Sequence, residues 1–221
     1  MRRLVQIVLF PLPWTVRRWL LGKLFGYDLH RIARIGFSVL DVDMVRMGPG
    51  ARIGHLTFAK GLTLIEIGAG GILGNLNWVT AYPLKQHDFF AHRGDRKTEL
   101  IIAHDAAITA RHFIDCTDRI TIGEFATVAG WHSQIVTHSF DLTHPRQDCE
   151  PIAVGAYSFV GSRAILLKGA HVPERSIVAA GSTFGVRNGE PLGVFAGNPA
   201  ARIREADPAL GYFTRDRGLI N

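Results

Sequence analysis

Proton transfer near neutral pH calls for an imidazole, and the chain carries ten histidines in 221 residues. Among those within the repeating part of the chain described below are His104, His112, His132 and His138. A neutral imidazole also binds zinc, so base and metal ligand are both open readings for these side chains. Asp141 lies three residues after His138, where a carboxylate could orient the ring through an N–H bond. His144, six residues beyond His138, reads as a solvated loop residue. Trp131 offers a flat apolar face on which a sugar could stack, or against which a neighbouring subunit could pack. The two cysteines, Cys116 and Cys149, are too few for a disulfide scaffold and lack zinc-site spacing, which makes a reducing compartment the default.

The elements that must position these groups show in a period of six. Aliphatic or aromatic residues recur at Val154, Val160, Leu166, Val172, Val178 and Phe184. Four places after each of the first five stands a small residue: Ser158, Ala164, Ala170, Ser176 and Ser182. Gly155, Gly161 and Gly185 directly follow three of the six. Six is not the helical period. It fits one short strand plus one turn, three of which close a triangular coil, and stacked coils make a parallel β-helix. The period-six residue then points inward and the small residue fits the corner. His112 and His132 stand at the corner place, so each is either packed there or exposed in a cleft between subunits.

The same unit runs earlier with breaks: Met47 and Ile53; Ile67, Leu73 and Val79 after a two-residue slip; Ile102, Ile108, Ile114 and Ile120; then Ile122 and Val128 after another slip. Two segments interrupt it, near 81–99 (with His87, His92 and Arg93) and near 139–150. Excursions from a repetitive scaffold are where specificity resides. The expected organisation is an all-β β-helix over 35–204, a basic N-terminal arm over 1–34 and a short C-terminal cap over 205–221.

The net charge of +6 sits on that arm, which holds seven basic residues and one acidic, against 18 of each in the other 187. Pro11 and Pro13 exclude one continuous helix, so the arm reads as a short apolar segment, a turn, and an amphipathic helix from about Trp14 to Phe25. Arginine and tryptophan on such a helix suit peripheral contact with a membrane surface, or a packing arm on the core. No stretch reaches the roughly 18 apolar residues of a spanning helix. The repeats present no basic face for nucleic acid, so no such partner is expected.

The stretches ITIGEFATVAG (120–130), VTHSFD (136–141), VGSRAILLKGAHV (160–172), VAAGSTF (178–184) and AGNPAARIRE (196–205) resemble the hexapeptide-repeat acyltransferases, and the last pieces resemble their sugar O-acetyltransferase branch. The resemblance implies a left-handed parallel β-helix, a homotrimer with active sites between neighbours, acetyl-CoA as donor, a saccharide acceptor, no metal, and a cytoplasmic location. His138 matches the family's general base. His112, Trp131 and Asp141 are then the candidate acceptor contacts. For coenzyme A the matching positions are Gly161, Ser162, Ala180, Gly181 and Ser182, followed by Gly197, Asn198 and Pro199. Arg202 or Arg204 would meet the phosphates. Where the family has a Thr-Lys pair this chain has Gly185, Val186 and Arg187, so Arg187 would supply the cation one place later. Two other readings remain: a γ-type carbonic anhydrase, which shares the helix but needs a paired histidine spacing missing here, and a β-helix scaffold without catalysis.

Overall fold

The computed structural model describes residues 1–85 and 89–218, so His87 lies outside the described residues. Three sheets, two of seven strands and one of nine, parallel but for the last strand of the nine, form the faces of a β-helix. Successive strands in sequence lie on different faces, and each pairs with the strand one coil away. The period-six residues point inward as expected. Ile53, Leu73, Ile108, Val128, Val160 and Val178 stack on the second face, each at most 2% exposed. Burying each such side chain contributes about 1.5–3 kcal/mol, and the core is one continuous column of them.

The two-residue slips have a geometric cause. On the first face the middle coils carry longer strands, such as Met44–Met47, Leu64–Ile67, Glu99–Ile102 and Ile120–Ile122. Each buries two residues instead of one: Val45 and Met47, Ile65 and Ile67, Leu100 and Ile102, Ile120 and Ile122. The glycines after inward residues answer a close approach between coils. A Cβ on Gly155 would lie 2.6 Å from the backbone N of Glu174, and one on Gly161 2.6 Å from that of Ala180.

The corner between the second and third faces is a ladder of polar side chains. Thr57 donates its N–H to the Ser38 hydroxyl, Asn77 to the Thr57 hydroxyl, and His112 to the Asn77 amide oxygen. Ser133 then donates its N–H to His112 Nδ1 at 3.1 Å. Each of these coils thus satisfies a buried amide of the next, which is why polar residues occupy this corner from Ser38 to Ser133.

Both excursions leave from the third face or the corner after it. The first, after Trp78–Thr80, folds back over that corner. The second is an antiparallel hairpin, His138–Asp141 with Arg146–Cys149. Ion pairs tie the two together: Asp148 accepts from Arg93 at 2.7 Å, His92 at 3.1 Å and Lys168 at 2.6 Å. At the C-terminal end the last parallel strand, Gly193–Gly197, turns into the antiparallel Ala200–Glu205, and a one-turn helix, α3 (Gly211–Thr214), buries Phe213 against Val194 and Ala206.

The arm departs from expectation. Its first segment is also helical, α1 (Arg2–Val8), and α2 (Trp14–Phe25) ends at Gly26 in the left-handed conformation with φ 73°. The second helix is not amphipathic in the expected sense: its arginines turn toward the body, while Val16, Trp19 and Leu24 are exposed on the outside with Lys23 among them. Arg17 donates to the carbonyls of Ile35 and Gly36, Arg18 to Leu29, Arg2 to Val42, and Arg3 pairs with Asp41. Gln6 both donates to and accepts from the Leu40 backbone, at 2.9 Å each. These groups cap the first coil, whose strands have no neighbour on that side. Leu4, Ile7, Val8, Leu12, Val16, Trp19 and Leu24 face outward.

Candidate active site

His138 begins the hairpin at the corner between the third and first faces. Its Nδ1 lies 2.6 Å from Asp115 Oδ2, and its backbone N–H donates to the same oxygen at 3.1 Å. Asp115 closes the strand Phe113–Asp115 one coil earlier, and its outward position on that strand sets it beside the start of the hairpin. Thr137 donates its N–H and hydroxyl to Oδ2, both at 3.0 Å, and Thr117 donates its hydroxyl to Oδ1 at 2.6 Å. Burial works against ionisation of Asp115. The hydrogen bonds from His138, Thr117 and Thr137, with the charge of His138, outweigh it and hold the carboxyl below its ordinary range. An ionised Asp115 fixes the proton on Nδ1 and leaves Nε2 as the basic nitrogen. Nε2 makes no hydrogen bond among the described residues, and both His138 and Asp115 line a cleft of about 930 Å³.

The first excursion packs edge-on against this imidazole, with the Tyr82 ring 5.4 Å and the Phe90 ring 6.4 Å from it. Arg96 holds the excursion in shape. It donates to the carbonyls of Tyr82 at 2.6 Å and Thr117 at 3.0 Å and covers the Phe90 ring at 4.7 Å. Beyond Tyr82 the cleft runs along the outside of the third face past Thr80, Trp78 and Lys60 to Arg3 and Asp41. Such a trough offers a flat aromatic wall, charged hydrogen-bonding groups at its far end and one oriented imidazole. It suits proton abstraction from a hydroxyl held in the trough.

Asp115, not Asp141, orients His138. Asp141 sits at the hairpin turn, accepting from the backbone of Thr143 and His144 and from the His144 ring at 3.2 Å. Asp115 escapes a search along the sequence because its contact crosses one coil. The signal for it is the coil length, which stacks residue 115 beside 136–138. His112 does not reach the cleft. It is 1% exposed, with Nδ1 accepting from Ser133 and Nε2 3.1 Å from the Thr109 hydroxyl. Burial, with a smaller contribution from the charge of His132, pushes its pKa down to about 4. Trp131 is exposed, but at the corner between the second and third faces, where Arg111 lies over its ring at 5.8 Å.

The small residues singled out for a donor gather at that same corner. Gly181 donates its N–H to the Ser162 carbonyl at 2.9 Å, and Gly197 donates to the Ser182 hydroxyl at 3.2 Å, which sets the Asn198–Pro199 turn beside them. Gly161 and Ser182 are buried between coils, whereas Ala180 and Gly181 are exposed. A Cβ on Gly181 would meet nothing within 4 Å, so the corner is open to an extended chain running close to the backbone. Arg187 is elsewhere, paired with Glu150 at the corner of the excursions. Arg202 is exposed on the last strand and donates weakly to the Pro191 carbonyl at 3.4 Å. The coil histidines do not converge within the protomer: His104 pairs with Asp105 at the corner between the first and second faces, His112 and His132 stand at the next, and His138 at the third. Among the described residues no group of three metal-ligating side chains forms.

Neither a family model nor a curated protein matches the chain. Solved structures do. A hexapeptide-repeat acetyltransferase from Vibrio cholerae is 18% identical over 92% of this chain and 87% of its own, with a TM-score of 0.52. The polysialic acid O-acetyltransferase OatWY is 15% identical over 81% and 84%, with a TM-score of 0.53. A mutant of AntD, an N-acyltransferase from Bacillus cereus solved with dTDP and coenzyme A, is 12% identical over 89% and 94%, with a TM-score of 0.50. The chain has the fold of the hexapeptide-repeat acetyltransferases.

Proposed function

We propose that the protein transfers an acetyl group from acetyl-CoA to a saccharide hydroxyl, with His138 as general base. The observation that carries this reading is the pair itself: Nδ1 fixed on Asp115 at 2.6 Å, with the ring lining a cleft beside an aromatic wall. Nε2 takes the proton of the acceptor hydroxyl as its oxygen bonds to the thioester carbonyl carbon. The tetrahedral oxyanion collapses, the carbon–sulfur bond breaks, and the leaving thiolate takes the proton back from the imidazolium. Asp115 stabilises the imidazolium between these steps. No acyl-enzyme forms, consistent with the lack of a serine or cysteine nucleophile motif. The donor runs along the corner of Ser162, Ala180 and Gly181, ending at Asn198 and Pro199. Arg202 is free to meet its phosphates, and Arg187 does so only by leaving Glu150.

In one protomer that corner and His138 stand at opposite edges of the third face. A homotrimer would set one subunit's donor corner beside its neighbour's His138, and exposed Phe113, Trp131, Phe140 and Leu142 supply apolar surface for such contacts. The arm, apolar on its outer side, brings the enzyme to the cytoplasmic face of a membrane. The test is release of free thiol from acetyl-CoA across a panel of free, lipid-linked and nucleotide-linked sugars. One acceptor should give turnover that His138→Ala removes while coenzyme A still binds. Turnover by that variant near the wild-type rate would end the assignment.

A further inference from the structure

A second cleft, of about 800 Å³, lies where the elbow of the arm meets the second face, well away from His138. Arg34 and Arg52 are register partners on adjacent parallel strands there, so their side chains leave the sheet side by side. Like charges set opposite each other on neighbouring strands repel. Below them Arg17, only 5% exposed, contacts the carbonyls of Ile35 and Gly36 and the rings of Phe10 and Trp14. Three guanidinium groups thus line one cleft, and among the described residues no carboxylate lines it. Arg34 and Arg52 are exposed and Arg17 is held by its two carbonyls, so what the cleft leaves unanswered is the mutual repulsion of Arg34 and Arg52.

One more donor lines the cleft. His55 accepts the Phe37 N–H on Nδ1 at 3.2 Å, which leaves its Nε2 to donate. The Trp14 ring forms part of the wall, its indole N–H being buried. The remaining wall is apolar, with Phe10 and Leu12 at the elbow. Leu12 continues into the outward strip of α2, where Val16 and Trp19 are exposed.

We propose that this cleft seats the phosphate headgroup of an anionic membrane lipid, held between Arg34 and Arg52 with its glycerol and acyl end on Phe10 and Leu12. The inference rests on reading the arm as membrane-facing. A second copy of the chain fits worse, because its arm would bring Lys23, exposed between Val16 and Trp19 on the outer face of α2, against the same positive charge. A lipid phosphate supplies the missing negative charge, and the bilayer interface covers the exposed Val16 and Trp19 while its anionic surface suits Lys23 among them.

The experiment uses the full chain and sedimentation with two kinds of vesicle, phosphatidylcholine alone and phosphatidylcholine with phosphatidylglycerol. The wild type should bind the anionic vesicles more tightly, and an Arg34→Gln, Arg52→Gln double variant should lose about 10- to 30-fold of that affinity, near 1 kcal/mol per arginine. Its melting curve should stay at or above that of the wild type, since two repelling charges are gone. An arm variant, Leu12→Ser with Trp19→Ser, should weaken binding to both vesicles. If the arginine variant binds anionic vesicles as the wild type does while the arm variant does not, the arginine seat is wrong and the arm reading survives. If the wild type binds neither vesicle, both fall. If inorganic phosphate stabilises the wild type alone and vesicles do not compete, the cleft holds a soluble phosphate instead and the lipid assignment is overturned.

Discussion

His112 and His138 stand at neighbouring corners of one β-helix, both hydrogen-bonded at Nδ1, and they do opposite things. His112 receives an N–H on Nδ1 and uses Nε2 on Thr109, so both nitrogens are spent inside the ladder. His138 gives its Nδ1 proton to a carboxylate and keeps Nε2 for the cleft. The difference lies in the partner. A backbone N–H at Nδ1 demands a neutral ring with its proton on Nε2, whereas Asp115 fixes the proton on Nδ1 and stabilises the ring when it gains a second one. One histidine holds coils together; the other leaves Nε2 facing the cleft, as the proposed base requires.

The largest effect separates the two by activity. His138→Ala should lower acetyl transfer about 10²- to 10⁴-fold, with the melting temperature little changed, as read by thiol release and circular dichroism. Asp115→Asn should follow at about 10²-fold in kcat, because the amide neither fixes the tautomer nor supports the imidazolium. His112→Ala should do the reverse. It leaves the Ser133 N–H unpaired and opens a cavity, costing about 2–4 kcal/mol in denaturant unfolding, while the folded fraction turns over at the wild-type rate.

A smaller effect appears with pH. The folded-state pKa of His112, about 4, lies below its ordinary value of 6.5. Its stabilising contribution is therefore present above about pH 6.5 and is lost as pH falls, because the unfolded chain takes up a proton that the fold refuses. Stability should drop by about 2 kcal/mol between about pH 7 and about pH 5. A His112→Asn variant, though less stable, should lose that slope. Asp115, also depressed, loses its contribution only in more acid solution, below the ordinary carboxylate range. The smallest effect concerns the excursions: Asp148→Asn frees Arg93, His92 and Lys168 and should raise the acceptor KM several-fold through a looser Tyr82 and Phe90 wall, about 1 kcal/mol.

Much of this was legible in the residues. The inward column shows in the period of six because each unit repeats the same local demand, and even the slips at Ile67 and Ile122 mark the longer first-face strands. The motif VTHSFD singles out His138, and the fold sets it in the cleft; its role as base is the proposal. Asp115 was not legible, because a β-helix contact crosses a full coil and nothing within a few residues of His138 announces it. The ladder role of His112 was half legible: its corner place was clear, its saturation by Ser133 and Thr109 was not. The arm was legible in its helix span, Trp14–Phe25, but not in how its side chains are arranged. Its composition gives the charge but not the direction in which each arginine points, and Arg2, Arg3, Arg17 and Arg18 turn inward to cap the first coil.

The most direct test places His138→Ala and His112→Ala side by side, with kcat/KM from thiol release and unfolding free energy measured on both. The expected result is a crossing: His138→Ala inactive and stable, His112→Ala active and destabilised. Wild-type kcat/KM in His138→Ala, or loss of activity in a well-folded His112→Ala, would contradict the account.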